Sequence, residues 1–412
     1  MDSESGSVPV LRPPPERAPP VFFYRFPSAM YECCPSQLTE LESLEALRHH
    51  VNTHGNLNNV VLQGLDLTSD AAETVLTSVD VEDACFLGCR LSAAAEQHIR
   101  ETGGTVFPAF VGLPFNPYRA SLYTPSELMD GYEPGVPGTR EETVDAHIYR
   151  YFSERQLDGR DAPVMDALAF RIHDHAIDDA LRDLLHDGSS RKVVGVMGGH
   201  RLGRDTATYR QVARIGWRLA RQDFFVATGG GPGAMEAANL GAALAHYEKS
   251  AVHDAVDTLA DAPHYEDESY FDRAFAVREQ YPERTESLAV PTWFYGHEPS
   301  NLFPTHVAKY FANSIREDGL LAIAKYGVIY APGSAGTIQE VFMDAAQNHY
   351  ETFGAASPMI FFDEDYWTQE KPIYPLLQTL AEGTPYADEL QVTDSVDTVA
   401  SAIADHAPTR PS

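Results

Sequence analysis

Short apolar runs alternate with amphipathic stretches along the second half of the chain. Val193–Met197, residues 224–227 and Val328–Tyr330 are continuous apolar runs of the length of a buried strand. After each run, apolar residues recur at helical spacing, as in residues 208–221. Strands that alternate with helices predict an α/β fold, in which helices cover both faces of a parallel sheet and a ligand binds at the carboxyl ends of the strands.

The same hydrophobic pattern predicts the elements in the rest of the second half of the chain. It predicts a long acidic helical insert at the periphery over residues 247–290, a strand at 292–295 and a helix at 306–325. Beyond these we expect a strand at Met359–Phe362, a helix at 372–381, a short strand near Val392 and a last helix at 396–406.

The first part of the chain predicts a smaller α/β module. Its expected elements are a strand at 21–24, a helix at 36–51 that begins with a Thr39/Glu42 capping box, strands at 60–62 and Cys85–Leu87, a helix between them at 71–79, loops over 108–140 and helices over 142–185. We therefore divide the chain into a disordered Pro- and Ser-rich arm (1–20), an N-terminal α/β module with a helical connector (21–185) and a nucleotide-binding domain (186–407), before a frayed tail at 408–412.

Composition narrows the possible partners. The 412 residues are 43% hydrophobic and carry a net charge of −30, which argues against nucleic acid or an anionic membrane as partner and still permits a small anionic ligand at a helix end. No signal peptide or membrane-length apolar run is visible, so we expect a cytoplasmic protein. We predict no metal site, because Cys85 and Cys89 fit no common zinc spacing and because His173 and His175 lie on different faces of their helix.

A glycine turn follows the apolar run Val328–Tyr330. Gly333 and Gly336 allow positive φ and close approach of an outside group, and the helix that follows offers unpaired N–H groups to a phosphate. The predicted phosphate contacts are Gly333, Ser334, Ala335, Gly336 and Thr337, with the carboxylate of Glu340 one turn into the helix. A purely structural alternative is a capping box, with Thr337 as N-cap and Glu340 folding back onto the backbone.

Two further glycine turns follow the other apolar runs. The predicted nucleotide contacts in them are Gly198 and Gly199 in the first, and Gly229, Gly230, Gly231, Gly233 and Met235 in the second. None of the three turns has the G-x-G-x-x-G spacing or the P-loop lysine, which disfavours a hydride-transfer enzyme and an NTPase. Because the three turns end three strands of one sheet, we predict that they form one site for a nucleotide or sugar phosphate.

These motifs resemble the LOG family of Rossmann-like nucleoside 5′-monophosphate phosphoribohydrolases. The resemblance rests on the Gly229-Gly230-Gly231-Pro232-Gly233-Ala234-Met235 segment and on residues 332–340, which resemble the family pattern P-G-G-x-G-T-x-x-E, and it covers about residues 190–405. The Glu298-Pro299-Ser300-Asn301 segment and the extra length are closer to the larger bacterial nucleotide nucleosidases.

The resemblance implies hydrolysis of the N-glycosidic bond of a nucleoside monophosphate by a homodimer or higher homo-oligomer, and we expect no cofactor. It assigns catalysis to Glu340 and to Arg316, which matches the arginine on the helix before the motif. A carboxylate beside the ribose can stabilise an oxocarbenium-like sugar or position water. For Arg316 the alternative is an ion pair on a solvated helix face. Ser334 departs from the family, which has a second glycine there.

Two other functions stay open on the sequence. A non-catalytic nucleotide sensor on the same fold fits the Ser334 departure. A lysine decarboxylase is disfavoured, because such enzymes use a Schiff-base lysine and because no lysine lies near the glycine turns in the sequence.

Overall fold

The computed structural model of the chain describes residues 39–155, 162–186, 191–296, 299–353 and 355–406. The expected arm at 1–20, the strand at 21–24 and the tail at 408–412 lie outside these residues. The strands are β1 Thr39–Leu41, β2 Val60–Gln63, β3 Asp66–Leu67, β4 Cys85–Leu87, β5 Arg90–Leu91, β6 Thr105–Phe107, β7 Val193–Met197, β8 Phe225–Thr228, β9 Leu288–Ala289, β10 His306–Val307, β11 Val328–Tyr330, β12 Met359–Phe362 and β13 Leu390–Thr393. The helices are α1 Leu44–His54, α2 Asp70–Leu76, α3 Ala93–Glu101, α4 Pro125–Leu128, α5 Val144–Arg155, α6 Val164–His186, α7 Ala207–Ala220, α8 Ala234–Ala243, α9 Lys249–Leu259, α10 Tyr270–Gln280, α11 Asn313–Ile323, α12 Ala335–His349, α13 Ile373–Ala381 and α14 Val396–Asp405.

A seven-stranded parallel sheet with helices on both faces forms the second half, which confirms the predicted fold class. Its strand order is β10-β9-β8-β7-β11-β12-β13. One face packs against a core that includes α5, α6, α11, α12 and α13, and the other against α7, α8, α9, α10 and α14. No described helix combines the length and the apolar content that a membrane crossing requires.

The strand order reverses between β7 and β11. From β7 the chain moves outward through β8, β9 and β10, then returns to pair β11 with the opposite edge of β7. In open parallel sheets the connections diverge at such a reversal and leave a crevice at the carboxyl ends of the strands. The turns after β7 and β11 therefore border the position where this fold class binds ligands.

The N-terminal part is a separate small α/β module, as predicted. Its four-stranded parallel sheet has the order β1-β2-β4-β6, with β3 and β5 pairing beside it. The register pairs Val61 with Cys85 and Asp66 with Arg90. Gly64 follows β2 and precedes β3, Gly88 follows β4 and precedes β5, and both glycines adopt positive φ. The chain thus turns twice by the same strand–glycine–strand pattern. This internal repeat was missed in the sequence because its strands are too short to show periodicity.

The predicted start of the first helix is wrong. Thr39 lies in β1, where it pairs with Val60, and the helix begins only at Leu44. Ser43 is its N-cap and accepts a hydrogen bond from Ala46 N at 3.0 Å. Strand pairing of residues 39–41 therefore overrides the capping-box pattern.

Three predictions between residues 247 and 325 also need correction. The acidic insert is two helices, α9 and α10, rather than one, and it is not peripheral, since Val252 and Val256 are fully buried in the core. The strand predicted at 292–295 does not form, and the strand in this part of the chain is β9. Residues 292–295 include Trp293, whose side chain bonds to Asp145. Residues 306–325 divide into β10 and α11. Two-residue strands carry too little pattern to be recognised in a sequence.

Candidate functional site

The three glycine turns meet at the carboxyl edge of the seven-stranded sheet. Gly199 N donates to Pro332 O at 2.9 Å, and Ala234 N donates to Gly199 O at 3.2 Å. The first turn thus lies between the second and the third, with backbone hydrogen bonds to both. A Cβ at Gly198 would lie 2.5 Å from Ala234 Cβ, so this packing requires glycine.

Positive φ occurs in the second turn and not in the third. Gly230 and Gly233 have φ of 77° and 69°, whereas Gly333 and Gly336 are not among the positive-φ glycines. The expectation of positive φ at Gly333 and Gly336 is therefore wrong. Gly333 is required for another reason: a Cβ there would collide with Thr337 Oγ1. A Cβ at Gly336 would meet nothing within 4 Å, so the backbone there is open to an outside group.

The helix after the third turn begins without a side-chain cap. Ser334 is the N-cap and its side chain makes no capping hydrogen bond. The proposed capping box is wrong, because Thr337 is the third residue of the helix and lies packed against Gly333. The exposed residues Ser334, Ala335 and Gly336 leave this helix end accessible, and uncapped N–H groups with the positive end of the helix dipole favour an anion.

Arg316 and Glu340 form a buried ion pair beside the second turn. Arg316 Nη1 donates to Glu340 Oε1 at 3.1 Å, and Arg316 Nε donates to Val290 O at 2.8 Å. Only 9% of Arg316 and 7% of Glu340 are exposed. Arg316 therefore does form an ion pair, with Glu340 as the acid. The alternative of a solvated helix face is wrong, because both groups are buried.

The arginine lies directly against the second glycine turn. A Cβ at Gly229 would collide with Arg316 Nη2 and lie 2.7 Å from Met235 Sδ. The structure thus brings together four of the predicted site residues, Gly229, Met235, Arg316 and Glu340. Absence of a side chain at Gly229 is what leaves room for the guanidinium.

Asn301 covers part of the second turn. Its backbone N donates to Gly230 O at 2.8 Å, and its Nδ2 donates to Gly231 O at 3.3 Å. Nδ2 also donates to Asn239 Oδ1 at 3.1 Å. Asn301 therefore engages the carbonyls of Gly230 and Gly231, and the Arg316 guanidinium packs against the same turn at Gly229.

Asp174 positions the helix that carries Arg316. Its carboxylate accepts backbone hydrogen bonds from Phe311 at 2.9 Å and Ala312 at 2.8 Å, and so caps the start of α11 from the neighbouring helix α6. Its partner His173 is fully buried and contacts Tyr123 Oη at 2.9 Å. Burial lowers the pKa of His173. His173 is thus a core histidine.

Tyr366 and Lys371 are contacts of the third turn that the sequence did not reveal. The Tyr366 hydroxyl donates to Gly333 O, and Lys371 Nζ donates to the same oxygen at 3.3 Å. Although no lysine lies near the glycine turns in the sequence, Lys371 lies against the third turn in the fold. Lys371 follows β12, which is adjacent to β11, so the fold brings it to the same edge from a distant part of the sequence.

A buried ion pair fixes the helix after the second turn. Arg204 donates to Glu236 through Nε at 2.8 Å and Nη2 at 2.6 Å, and the Tyr209 hydroxyl donates to Glu236 Oε2 at 2.8 Å. Arg204 and Glu236 are each 1% exposed. Because unpaired buried charges are costly, this pair holds α8 in one orientation under the site.

Two cavities open near the site. One of about 380 Å³ is lined by His200, Arg201 and Gly233 at the first and second turns. A larger groove of about 900 Å³ lies over the start of α11, with Asn313, Glu317 and Phe294 among its lining residues. Asn313 and Glu317 lie on the same helix as Arg316, and the groove that they line is large enough for a small organic ligand.

Comparisons with known proteins agree with the glycine-turn pattern. Residues 191–247 match the model of the SLOG cluster4 family. This segment contains the first two glycine turns. No curated protein matches the chain.

Solved structures give only distant similarities. The chain is similar to the molybdenum cofactor binding protein from the phototrophic bacterium Rippkaea orientalis at 16% identity, with a TM-score of 0.33 over 52% of this chain and 97% of that one. It is also similar to the Moco carrier protein from Chlamydomonas reinhardtii at 14% identity, with a TM-score of 0.32 over 52% and 96%. At such TM-scores these likenesses assign no ligand here. Over residues 191–247 the chain is similar to the SLOG superfamily, which includes the LOG family, and this confirms the resemblance found in its sequence motifs.

Proposed function

We propose that this protein hydrolyses the N-glycosidic bond of nucleoside 5′-monophosphates to free base and ribose 5-phosphate. The observation that carries the proposal is the buried Arg316–Glu340 pair. Arg316 lies against the second glycine turn, and Glu340 is the sixth residue of α12, near its uncapped end. A charged pair beside an anion-binding helix end places a carboxylate near the sugar of a ligand whose phosphate occupies that end.

The reaction needs little chemistry from the chain. The bond between C1′ and the base nitrogen breaks with its electrons leaving on the base, and positive charge develops on the ribose ring. Glu340 would stabilise that charge or position the water that adds to C1′, while the departing base takes up a proton. Arg316 would hold the Glu340 carboxylate in one orientation, because it donates to Oε1.

Gly333, Ser334, Ala335, Gly336 and Thr337 would bind the 5′-phosphate through backbone N–H groups. The accessible backbone at Gly336 supports this part of the proposal. A serine at position 334 could add a hydroxyl contact to the phosphate. We propose a homodimer as the assembly on the LOG resemblance alone, and sedimentation velocity tests it.

Product chromatography tests the activity. The full-length protein is incubated with AMP, GMP, CMP and UMP, and with adenosine as the matched substrate that lacks the phosphate. We expect free base and ribose 5-phosphate in equal amounts from at least one monophosphate and none from the nucleoside. Intact monophosphates throughout would reject hydrolysis.

A nucleotide sensor is the second candidate. The observation that favours it is that the two candidate catalytic residues bind each other. Arg316 donates hydrogen bonds to Glu340 and to Val290 O. Tight binding of a monophosphate without any release of base would decide for the sensor.

A further inference from the structure

Three consecutive aromatic residues follow β9, and only the first is buried. Trp293 is 1% exposed, whereas Phe294 and Tyr295 are 52% and 58% exposed. Exposure of two large aromatic side chains to water is energetically unfavourable. Exposed apolar groups that lie together commonly mark a binding surface. Their rings pack edge to face with centroids 5.2 Å apart.

The loop that carries this pair is firmly held. Trp293 Nε1 donates to Asp145 Oδ1 at 2.8 Å, and its ring stacks on Phe311 with centroids 4.6 Å apart. Phe294 N donates to Thr292 Oγ1 at 3.0 Å. Phe294 and Tyr295 are therefore exposed on a loop whose backbone is held in place by these contacts.

The exposed pair lies beside the proposed catalytic residues. Asn313, one turn before Arg316 on α11, donates through Nδ2 to Tyr295 Oη at 2.9 Å. Burial and the charge of Glu317 raise the pKa of Tyr295, and the charges of Arg316 and Glu340 also act on it. The Tyr295 hydroxyl is thus within electrostatic range of the Arg316–Glu340 pair.

The space next to these rings suits a flat heterocycle. The groove of about 900 Å³ has Phe294, Phe311 and Asn313 among its lining residues. Asn313 is 9% exposed, and its Oδ1 has no hydrogen-bond partner among the described residues. A buried acceptor without a donor is costly, and an N–H of a ligand would remove that cost.

We propose that the base of the nucleotide stacks on the ring of Phe294, which Tyr295 supports by its edge-to-face contact, with Asn313 Oδ1 accepting a hydrogen bond from the base. The inference rests on the proposed function, because it needs the ribose at the Arg316–Glu340 pair. Stacking on aromatic faces accepts every base, so the amide of Asn313 is the group that discriminates among them.

Differential binding tests this subsite. Affinities of the full-length chain for AMP, GMP, CMP, UMP and ribose 5-phosphate are measured by calorimetry in a Glu340→Gln background, which limits turnover. Phe294→Ala is expected to weaken binding of the tightest monophosphate about tenfold, as loss of one stacking contact does. Tyr295→Ala, which removes the support of that ring, is expected to weaken it as well. Affinity for ribose 5-phosphate, which has no base, is expected to stay unchanged. Tyr350→Ala is the matched control, since Tyr350 is 78% exposed at the far end of α12.

Each outcome decides the inference. Unchanged monophosphate affinity in both variants overturns it, as does an equal loss for ribose 5-phosphate or a parent protein that binds no monophosphate more tightly than ribose 5-phosphate. The proposed function fails separately, when the wild-type protein releases no base from any monophosphate. In that case a base-specific loss of binding still supports the subsite.

Discussion

Arg316 and Glu340 are the residues whose chemistry the account depends on. Both are about nine-tenths buried, and their contact at 3.1 Å joins two helices. Removal of the carboxylate would leave a buried guanidinium with one acceptor fewer, which costs stability as well as activity. Glutamine at position 340 keeps an acceptor oxygen and the shape of the side chain, so it separates the charge from the packing.

Gly336→Ala separates stability from binding at a single residue. No atom lies within 4 Å of the added Cβ, and alanine in place of glycine inside a helix adds up to about 1 kcal/mol to the free energy of unfolding. The same methyl group would occupy the space proposed for the phosphate. We expect urea unfolding to show an equal or more stable variant whose affinity for monophosphates, measured by calorimetry, is lower by about tenfold or more. An unchanged affinity would contradict the phosphate assignment.

Some contacts of single residues could be predicted and others could not. The glycine spacing and the carboxylate at Glu340 follow from the motif, because a strand, a turn and a helix are contiguous in the chain. The hydrogen bond of Lys371 to Gly333 and the cap supplied by Asp174 come from distant segments. Nothing in their local pattern indicates those partners.

At the scale of elements, the position of α11 decides where Arg316 lies. This helix has no side-chain cap of its own, and the carboxylate of Asp174 on α6 replaces one. The site therefore depends on a helix that precedes the sheet in sequence. The long helices and apolar strands were predictable because each carries a full period of pattern. β9 and β10 were not, since each has two residues.

Asp174→Ala tests this dependence. The substitution leaves the N–H groups of Phe311 and Ala312 without their acceptor, and we expect the free energy of unfolding to fall by about 1–3 kcal/mol. Base release should fall with it, because α11 loses its anchor near Arg316. Urea denaturation and a chromatographic assay are the measurements. Asp178→Ala on the same helix is the comparison, since Asp178 accepts from the Tyr310 hydroxyl and, among the described residues, from no backbone N–H of α11. Full activity in Asp174→Ala would show that α11 is held by other contacts.

At the scale of the whole molecule, the excess of acidic residues affects how the free energy of unfolding depends on pH. The net charge is −30, and several carboxyl groups have raised pKa values. Burial raises the pKa of Asp344 to about 7. Burial, followed by the charges of Asp179 and Asp183, raises the pKa of Glu40. Groups whose folded pKa is raised bind more protons in the folded state, so the protein loses stability as they ionise.

The stability of this protein should therefore decline as pH rises. For Asp344 the stabilisation is fully present below its unfolded pKa of 3.8 and is lost as pH rises through about 7. Asp344→Asn should flatten the fall in unfolding free energy between pH 5 and 8 by on the order of a few kcal/mol. Asp254→Asn, at an exposed position on α9, is the control and should leave the profile unchanged. A wild-type profile that rises over this range would contradict the expectation.

The most direct test of the account is the rate of base release by the wild-type protein and by Glu340→Gln, measured by chromatography on the monophosphate that the wild type prefers. The account predicts that the variant stays folded and keeps its affinity for ribose 5-phosphate, while turnover falls by about 10²–10³-fold. Equal turnover in the two proteins would contradict it.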